Sequence, residues 1–469
     1  MSSATSLELS TSRPLGGYSL PAPRRVGGLP ILGVLPALLR DGPGFLLSTA
    51  RAHPDELFSI QLGPVQVPVV YRPDDLQRVL IDDARTYSKG GMWSATRPLL
   101  GNGLVTSDGE VWRRQRQLMQ PLFTPKHLAS LSGLMVDAIR GAVDRMAERA
   151  GQPMEIGQEM TLITQRVLFE TMFGTSLDPA QAEGLGRQLN VAFQAMNIRI
   201  FTYFLPEWFP RPGGRAFKRA LGTIDAALMR MVAERRAQPA GRPDLLSLLL
   251  AARDPDTGDV LSDREVRDQL VTLFVAGLDT TAVTLTWLMH LLDEHPEVDE
   301  RLRAEVAEVI GDRAPTALDL PQLQYTRRVL QEAMRLYPPA WIFPRYAADG
   351  AEVGGRRIAA GTSLLVSPWL AHRDPRHWER PDSFDPDHFL PERVAARPKL
   401  AYVPFGAGGR ACIGNHFAMM EGTLATVLLV QRFRAERLPG QKIVPAAAST
   451  LKPKGGLHMK LRLIDGPTA

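Results

Sequence analysis

Cys412, the only cysteine of the 469-residue chain, stands in the stretch Phe405-Gly-Ala-Gly-Gly-Arg410-Ala-Cys412-Ile-Gly414. The glycines let the backbone take positive φ and come close to a flat object, while the apolar run 415–430 reads as a helix starting just past the cysteine. A thiol beside unpaired amides at a helix N-terminus is expected to have a lowered pKa, and its thiolate accepts their hydrogen bonds. That is the chemistry of a metal ligand. Arg410, two residues earlier, is placed to meet an anion on the same bound group. The alternative is a buried structural cysteine in a glycine-rich turn, so the rest of the chain must decide.

Three further groupings carry chemistry. Trp112 and Arg116 lie four apart on a helical pattern and share a face, offering an indole N–H and a guanidinium to a carboxylate. Ala276-Gly277-Leu278-Asp279-Thr280-Thr281 sets a carboxylate beside hydroxyls in mid-helix: the carboxylate can relay protons from solvent, and a hydroxyl both accepts and donates. A helix-interior glycine costs about 1 kcal/mol relative to alanine, and the hydroxyls compete for backbone carbonyls, so a local widening is expected there. Glu332 and Arg335, three apart, predict a bidentate ion pair.

The elements that must position these groups are mostly helices. Ser262-Asp-Arg-Glu265 is a capping box that opens a helix running to about residue 294, where His295-Pro296 stops it. At 1.5 Å per residue it would be roughly 50 Å long, enough to cross the molecule. Amphipathic helices are expected at 126–149, 158–173, 180–200 and 325–337, with shorter ones at 45–52 and 73–82. Residues 57–62 and 65–71 form a hairpin around Gly63-Pro64, and 354–359, 363–367 and 442–463 complete a small β region. Residues 86–108 read as one long loop and residues 1–28 as irregular or disordered.

The glycine–arginine–cysteine stretch resembles the heme-thiolate signature of the cytochrome P-450 family at every fixed position, and the other groupings follow in that family's order. The resemblance covers about residues 28 to 464. It implies a mostly α, helix-rich triangular single domain over 29–469 with a smaller β-sheet region, holding heme b (iron protoporphyrin IX) on the Cys412 thiolate. By the same resemblance Trp112, Arg116, Arg345 and Arg410 bind the heme propionates, Phe405 and Gly414 shape the cysteine loop, and Gly277 makes room above the iron. Thr280 then hydrogen-bonds bound dioxygen while Asp279 takes part in proton delivery. Glu332 and Arg335 form the family's structural pair, and His388 departs from the arginine common at the third position. Histidine can still bond Glu332, but its charge depends on pH where arginine's does not.

The candidate substrate lining, Met92, Trp93, Leu99, Phe201, Tyr203, Phe204, Val275, Ile342 and Phe343, is apolar. It suits a terpenoid, fatty acid, steroid or polyketide-like molecule. Monooxygenation with O2 is the expected activity, hydroxylation or epoxidation alike, with electrons from a separate ferredoxin or flavodoxin and its NAD(P)H reductase, because no fused reductase is expected. A peroxide-driven peroxygenase or rearranging enzyme is the second reading, which Asp279 and Thr280 disfavour. A non-catalytic heme sensor is the third, which the aromatic roof near 198–209 and the long loop disfavour.

Composition excludes other classes. The net charge of +5 comes from 55 basic and 50 acidic residues scattered among one another, so a nucleic-acid stripe is not expected. One cysteine allows no internal disulfide. With no apolar run reaching ~18 residues and no signal-peptide pattern, the expectation is a cytoplasmic monomer without a membrane span.

Overall fold

The computed structural model describes residues 24–30, 32–54, 56–63, 65–174, 179–201, 211–237, 244–254, 256–446 and 448–464. Its axis is the helix Asp263–Glu294, whose start is fixed by the expected capping box: Ser262 and Glu265 satisfy each other's backbone N–H groups. Proline at 296 lacks the N–H to continue that helix and begins the next, Pro296–Val309. Helices Ile156–Phe173, Gly214–Ala237, Gln324–Leu336 and Asn415–Arg432 all pack against the long helix. Contrary to expectation it is long and apolar enough, by length and composition, to cross a membrane, yet 72% of its most apolar stretch is buried inside the protein. A helix apolar on nearly every face is what a core position requires.

The β region is small. Six strands lie in the order Arg24–Val26, Phe58–Leu62, Val65–Val70, Ser363–Val366, Phe343–Ala347, Tyr87–Ser88. The predicted hairpin is present, turning at Gly63 with φ +59°. A second sheet joins Phe433–Arg437, His458–Leu463 and Pro153–Glu155, and Pro445–Ala446 pairs with Lys452–Pro453. The described apolar residues form a helical cluster and a sheet cluster, and Tyr337 packs against both. Tyr337 also stacks on Trp287 of the long helix, with ring centroids 3.7 Å apart.

Three expectations are corrected. Arg24–Val26, expected within an irregular leader, pair in parallel with Phe58–Ile60. The supposed loop 86–108 contains the strand Tyr87–Ser88 and two single-turn helices, Gly91–Ser94 and Arg97–Leu100. The reason is that the long helix fixes the segment's backbone: Asp268 accepts from the Asn102 N–H at 2.8 Å and Gln269 from the Leu104 N–H at 2.9 Å. The helical pattern after Cys412 ends at Arg432, and Phe433–Arg437 turn into a strand that the sequence reading did not foresee.

Candidate active site

The cysteine loop is built by close backbone contacts. A Cβ at Gly408 would sit 2.0 Å from the Leu80 carbonyl oxygen, and its φ is +69°, so only glycine lets the loop lie against the turn Arg78–Asp82. The Cys412 N–H donates to the Phe405 carbonyl at 2.8 Å, and Arg116 Nη1 donates to the Ala411 carbonyl at 2.8 Å. The Gly414 N–H points at the sulfur. Cys412 lies deep in the protein while its side chain retains open surface. Both hold at once because the sulfur faces internal space. The expected lowering of the thiol pKa is overturned: burial pushes it up against the pull of the Gly414 N–H and Arg116. Deprotonation is then left to a bound metal.

The long helix shows the same open surface in mid-span. Val275, Ala276, Gly277 and Thr280 keep exposed area between turns whose residues are buried. The helix runs unbroken, so the expected widening is absent, and Thr280 Oγ1 donates to the Ala276 carbonyl one turn back at 2.8 Å. Gly277 keeps part of its surface open there, while a Cβ on it would meet Leu168 Cδ2 at 2.9 Å, so its missing side chain serves helix-to-helix contact. Asp279 and Thr280 are not brought together. The Asp279 carboxylate accepts from the Thr450 hydroxyl and pairs with Lys452 Nζ at 2.5 Å.

Around the cysteine loop, cations outnumber their partners. Arg410 Nη2 bonds Asp108 and its guanidinium lies 5.0 Å from the Trp112 ring, while its buried Nη1 has no partner. Arg345 is buried and donates only to the neighbouring Pro344 carbonyl, at 2.9 Å. Lys89, which sequence reasoning missed, donates to the Leu104 and Ser107 carbonyls at 2.7 and 3.3 Å. Burial, then the charge of Arg410, pulls the Lys89 amine down to about 7, with Asp108 opposing and Arg345 and Arg116 adding to the shift. Burial and Arg410 likewise pull Arg345 down to about 10. Lys89, Arg345 and Arg410 share the single carboxylate of Asp108, with Arg116 beside them, so an anionic group would balance the set. The paired propionates of a heme fit it, and the open cysteine sulfur fits the iron. Only Lys89 lacked a motif, and a lone lysine in a Ser-Lys-Gly-Gly run carries no signal by itself.

The structural pair is a triad. Arg335 Nε and Nη2 each donate to Glu332 at 2.7 Å, His388 Nδ1 lies 3.0 Å from Glu332 Oε1, and all three are buried. Burial opposes the Glu332 charge, but Arg335 and His388 more than offset it and its carboxyl stays below the usual range. Of the candidate lining, Val275, Trp93, Ile342 and Phe343 keep partial exposure, and the buried Trp93 Nε1 has no partner. Leu99 is fully buried in the helical cluster and lines nothing. Tyr203 and Phe204 lie outside the described residues, as do the side chains of Met92 and Phe201. A last residue, Glu421, is fully buried with neither oxygen bonded. The Thr281 hydroxyl is its polar neighbour, and burial pushes its carboxyl up to about 8.

Comparison with known proteins agrees with this geometry. The family profile of the cytochrome P-450 proteins matches residues 23–461. Cyclooctatin synthase of Streptomyces melanosporofaciens is 40% identical over 428 residues, covering 91% of this chain and 92% of the relative. From the same organism, cyclooctat-9-en-7-ol 5-monooxygenase is 38% identical, with 88% and 89% covered. Pentalenene oxygenase of Streptomyces avermitilis is 35% identical, with 93% and 96% covered. The crystal structure of the cytochrome P450DA heme domain superposes with a TM-score of 0.86 at 27% identity, covering 94% of this chain and 98% of that one.

Proposed function

The chain belongs to the cytochrome P-450 family, and from that premise we propose that it is a heme-thiolate monooxygenase of cyclic terpenoids. The observation that carries the reading is the Cys412 sulfur, held by backbone contacts and open to an internal space beside an unbalanced set of cations. Three similar proteins bear names that mark them as oxygenases or as an enzyme of cyclooctatin synthesis, which supports a terpenoid over a fatty acid. Partly open Val275, Ile342 and Phe343 offer such a hydrocarbon an apolar wall, and the unpaired Trp93 N–H offers one polar contact.

In this reading Cys412 holds heme b, with Lys89, Arg116, Arg345 and Arg410 on its carboxylates. The group supplies oxygen activation, which thiolate ligation favours. The protein does the rest. The Gly414 N–H and Arg116 steady the sulfur's charge, and the apolar wall orients the substrate and excludes water. Thr280 offers its hydroxyl into the chamber once it leaves the Ala276 carbonyl, and Asp279 brings protons from the solvent side. Electrons enter from a separate ferredoxin or flavodoxin, which docks on the face around the cysteine loop. A cytoplasmic monomer is the setting we propose.

Reduced protein under CO should absorb near ~450 nm as thiolate-ligated heme does, and Cys412→Ser should abolish that band. A band that stays near ~420 nm in freshly prepared wild type would defeat the ligand assignment. Cyclic di- and sesquiterpenes, with and without one hydroxyl, should give spin-state changes that linear fatty acids do not.

A further inference from the structure

Arg267 of the long helix is almost fully buried, and its guanidinium serves three elements at once. Nε and Nη2 meet Asp225 on the helix Gly214–Ala237 at 2.6 and 2.5 Å, while Nη1 donates to the Leu99 carbonyl at 2.8 Å and stands 3.0 Å from Asp268 Oδ1. The next two residues hold the same segment as Leu99, Asp268 at the Asn102 N–H and Gln269 at the Leu104 N–H. That seat is imperfect. Gln269 Nε2 and Thr272 Oγ1 are buried beneath the segment without a partner among the described residues, a cost that water relieves if the segment lifts. A second arginine stands in reserve: Arg264, 64% exposed, lies 3.9 Å from Asp225 and 3.6 Å from Asp268. Farther along the same helix, Val275 and Ala276 keep the open area assigned to the substrate chamber.

We propose that Arg267 is a clamp that couples two walls, the helix Gly214–Ala237 and the segment 97–104, and so sets the rate at which bulky ligands enter and leave. The inference rests on the reading of the chain as a heme enzyme with its chamber along the long helix. In the closed arrangement one guanidinium satisfies both walls. When the helix swings out and carries Asp225 with it, Nε and Nη2 are left bare in the interior, where an unpaired charge is costly. Asp268 is the remaining acidic partner, and the guanidinium turns onto it by taking Nη1 away from the Leu99 carbonyl. Arg264 follows Asp225 outward, so neither carboxylate is stranded. The segment has then lost one of its three ties to the long helix, and lifting it hydrates Gln269 and Thr272. Each wall therefore loosens the other. Two arrangements of the same four charges separate a closed chamber from an open one, and no net charge is gained or lost between them.

The test uses the heme-loaded enzyme with two readouts: amide hydrogen exchange over 97–104, and the binding kinetics of 4-phenylimidazole, whose nitrogen ligates ferric heme and whose bulk needs an open path. Asp225→Ala should speed exchange of the Asn102 and Leu104 amides, although Asp225 bonds neither. It should also raise the association and dissociation rates of 4-phenylimidazole together, roughly 10-fold and with Kd unchanged, the scale for one charge-assisted hydrogen bond. Asp225→Glu should return both readouts toward wild type. Arg236→Met is the control: it breaks the Arg236 pair with Asp263, which joins the same two helices at 2.6 Å without sharing a group with the segment. Exchange over 97–104 and the ligand rates should not respond to it. Unaltered exchange in Asp225→Ala, or an equal rise in Arg236→Met, overturns the clamp. Faster exchange with unaltered ligand rates overturns its role in entry. A wild type whose spectrum never responds to 4-phenylimidazole defeats the heme-chamber reading instead, and the exchange measurement still decides the coupling.

Discussion

Glu421 brings a carboxyl into the contact between the long helix and Asn415–Arg432 with neither oxygen hydrogen-bonded. Water cannot compensate its charge there, so burial holds the group protonated, with its pKa raised from 4.5 to about 8. Unfolding exposes an ordinary carboxyl that ionises near 4.5. Between those two values the unfolded state loses a proton that the folded state keeps, and stability falls as pH rises across the window, by up to about 1.4 kcal/mol per pH unit. Glu421→Gln should therefore raise the denaturation midpoint at pH 7 and flatten the profile from pH 5 to 8, as read by urea unfolding at several pH values. An unchanged slope would mean the carboxyl is solvated. Nothing in the sequence distinguished Glu421 from a surface glutamate beside the signature, and the same is true of Lys89, Thr450 and Lys452. Cys412, Arg116, Arg345 and Arg410 were legible because the family's spacing ties each to the next, whereas these four acquire partners only from distant segments. Spacing located Gly277 on the right turn but could not show that its missing Cβ faces Leu168.

Elements were legible where one signal governs both ends of a run. The long helix had its capping box and its proline, and both structures are as expected. Residues 86–108 had no such signal, because Asp268, Gln269 and Arg267 of the distant long helix hold the backbone of Asn102, Leu104 and Leu99. The helix Gln324–Leu336 is tied to the turn Pro386–Phe389 by His388, whose Nδ1 faces Glu332 and whose Nε2 lies 2.6 Å from the Glu379 carbonyl. The imidazole thus bridges two acceptors, the Glu332 carboxylate and the Glu379 carbonyl. His388→Ala should cost about 2–3 kcal/mol, the scale for losing a buried charge-assisted hydrogen bond and stranding its acceptor. His388→Arg should recover most of that loss, since arginine can reach the same two acceptors. Thermal unfolding of the three proteins decides it, and a neutral His388→Ala would make this corner dispensable.

At the scale of the whole molecule, the cation set sits where the two apolar clusters meet. Arg345 comes from the strand Phe343–Ala347, Arg116 from the helix Gly109–Met119, and Arg410 and Lys89 from the loops between them. Burial first, then the Arg410 charge, with Arg345 and Arg116 adding and Asp108 opposing, draws the Lys89 amine down to about 7. The unfolded state holds the Lys89 proton up to about 10.5, so the stability from this group is present above that value and is lost as pH falls through 7. A bound dianion reverses the balance and links the sheet cluster to the helical one, adding RT ln(1 + [L]/Kd) to the folded state. Lys89→Met should therefore act in opposite directions on the two forms. It should raise the unfolding midpoint of the heme-free protein near pH 6 and lower that of the loaded protein, with faster transfer of heme to apomyoglobin. Calorimetry of both forms at pH 6 and pH 9 separates this from a packing effect, because a lost side-chain stem would lower both midpoints at either pH.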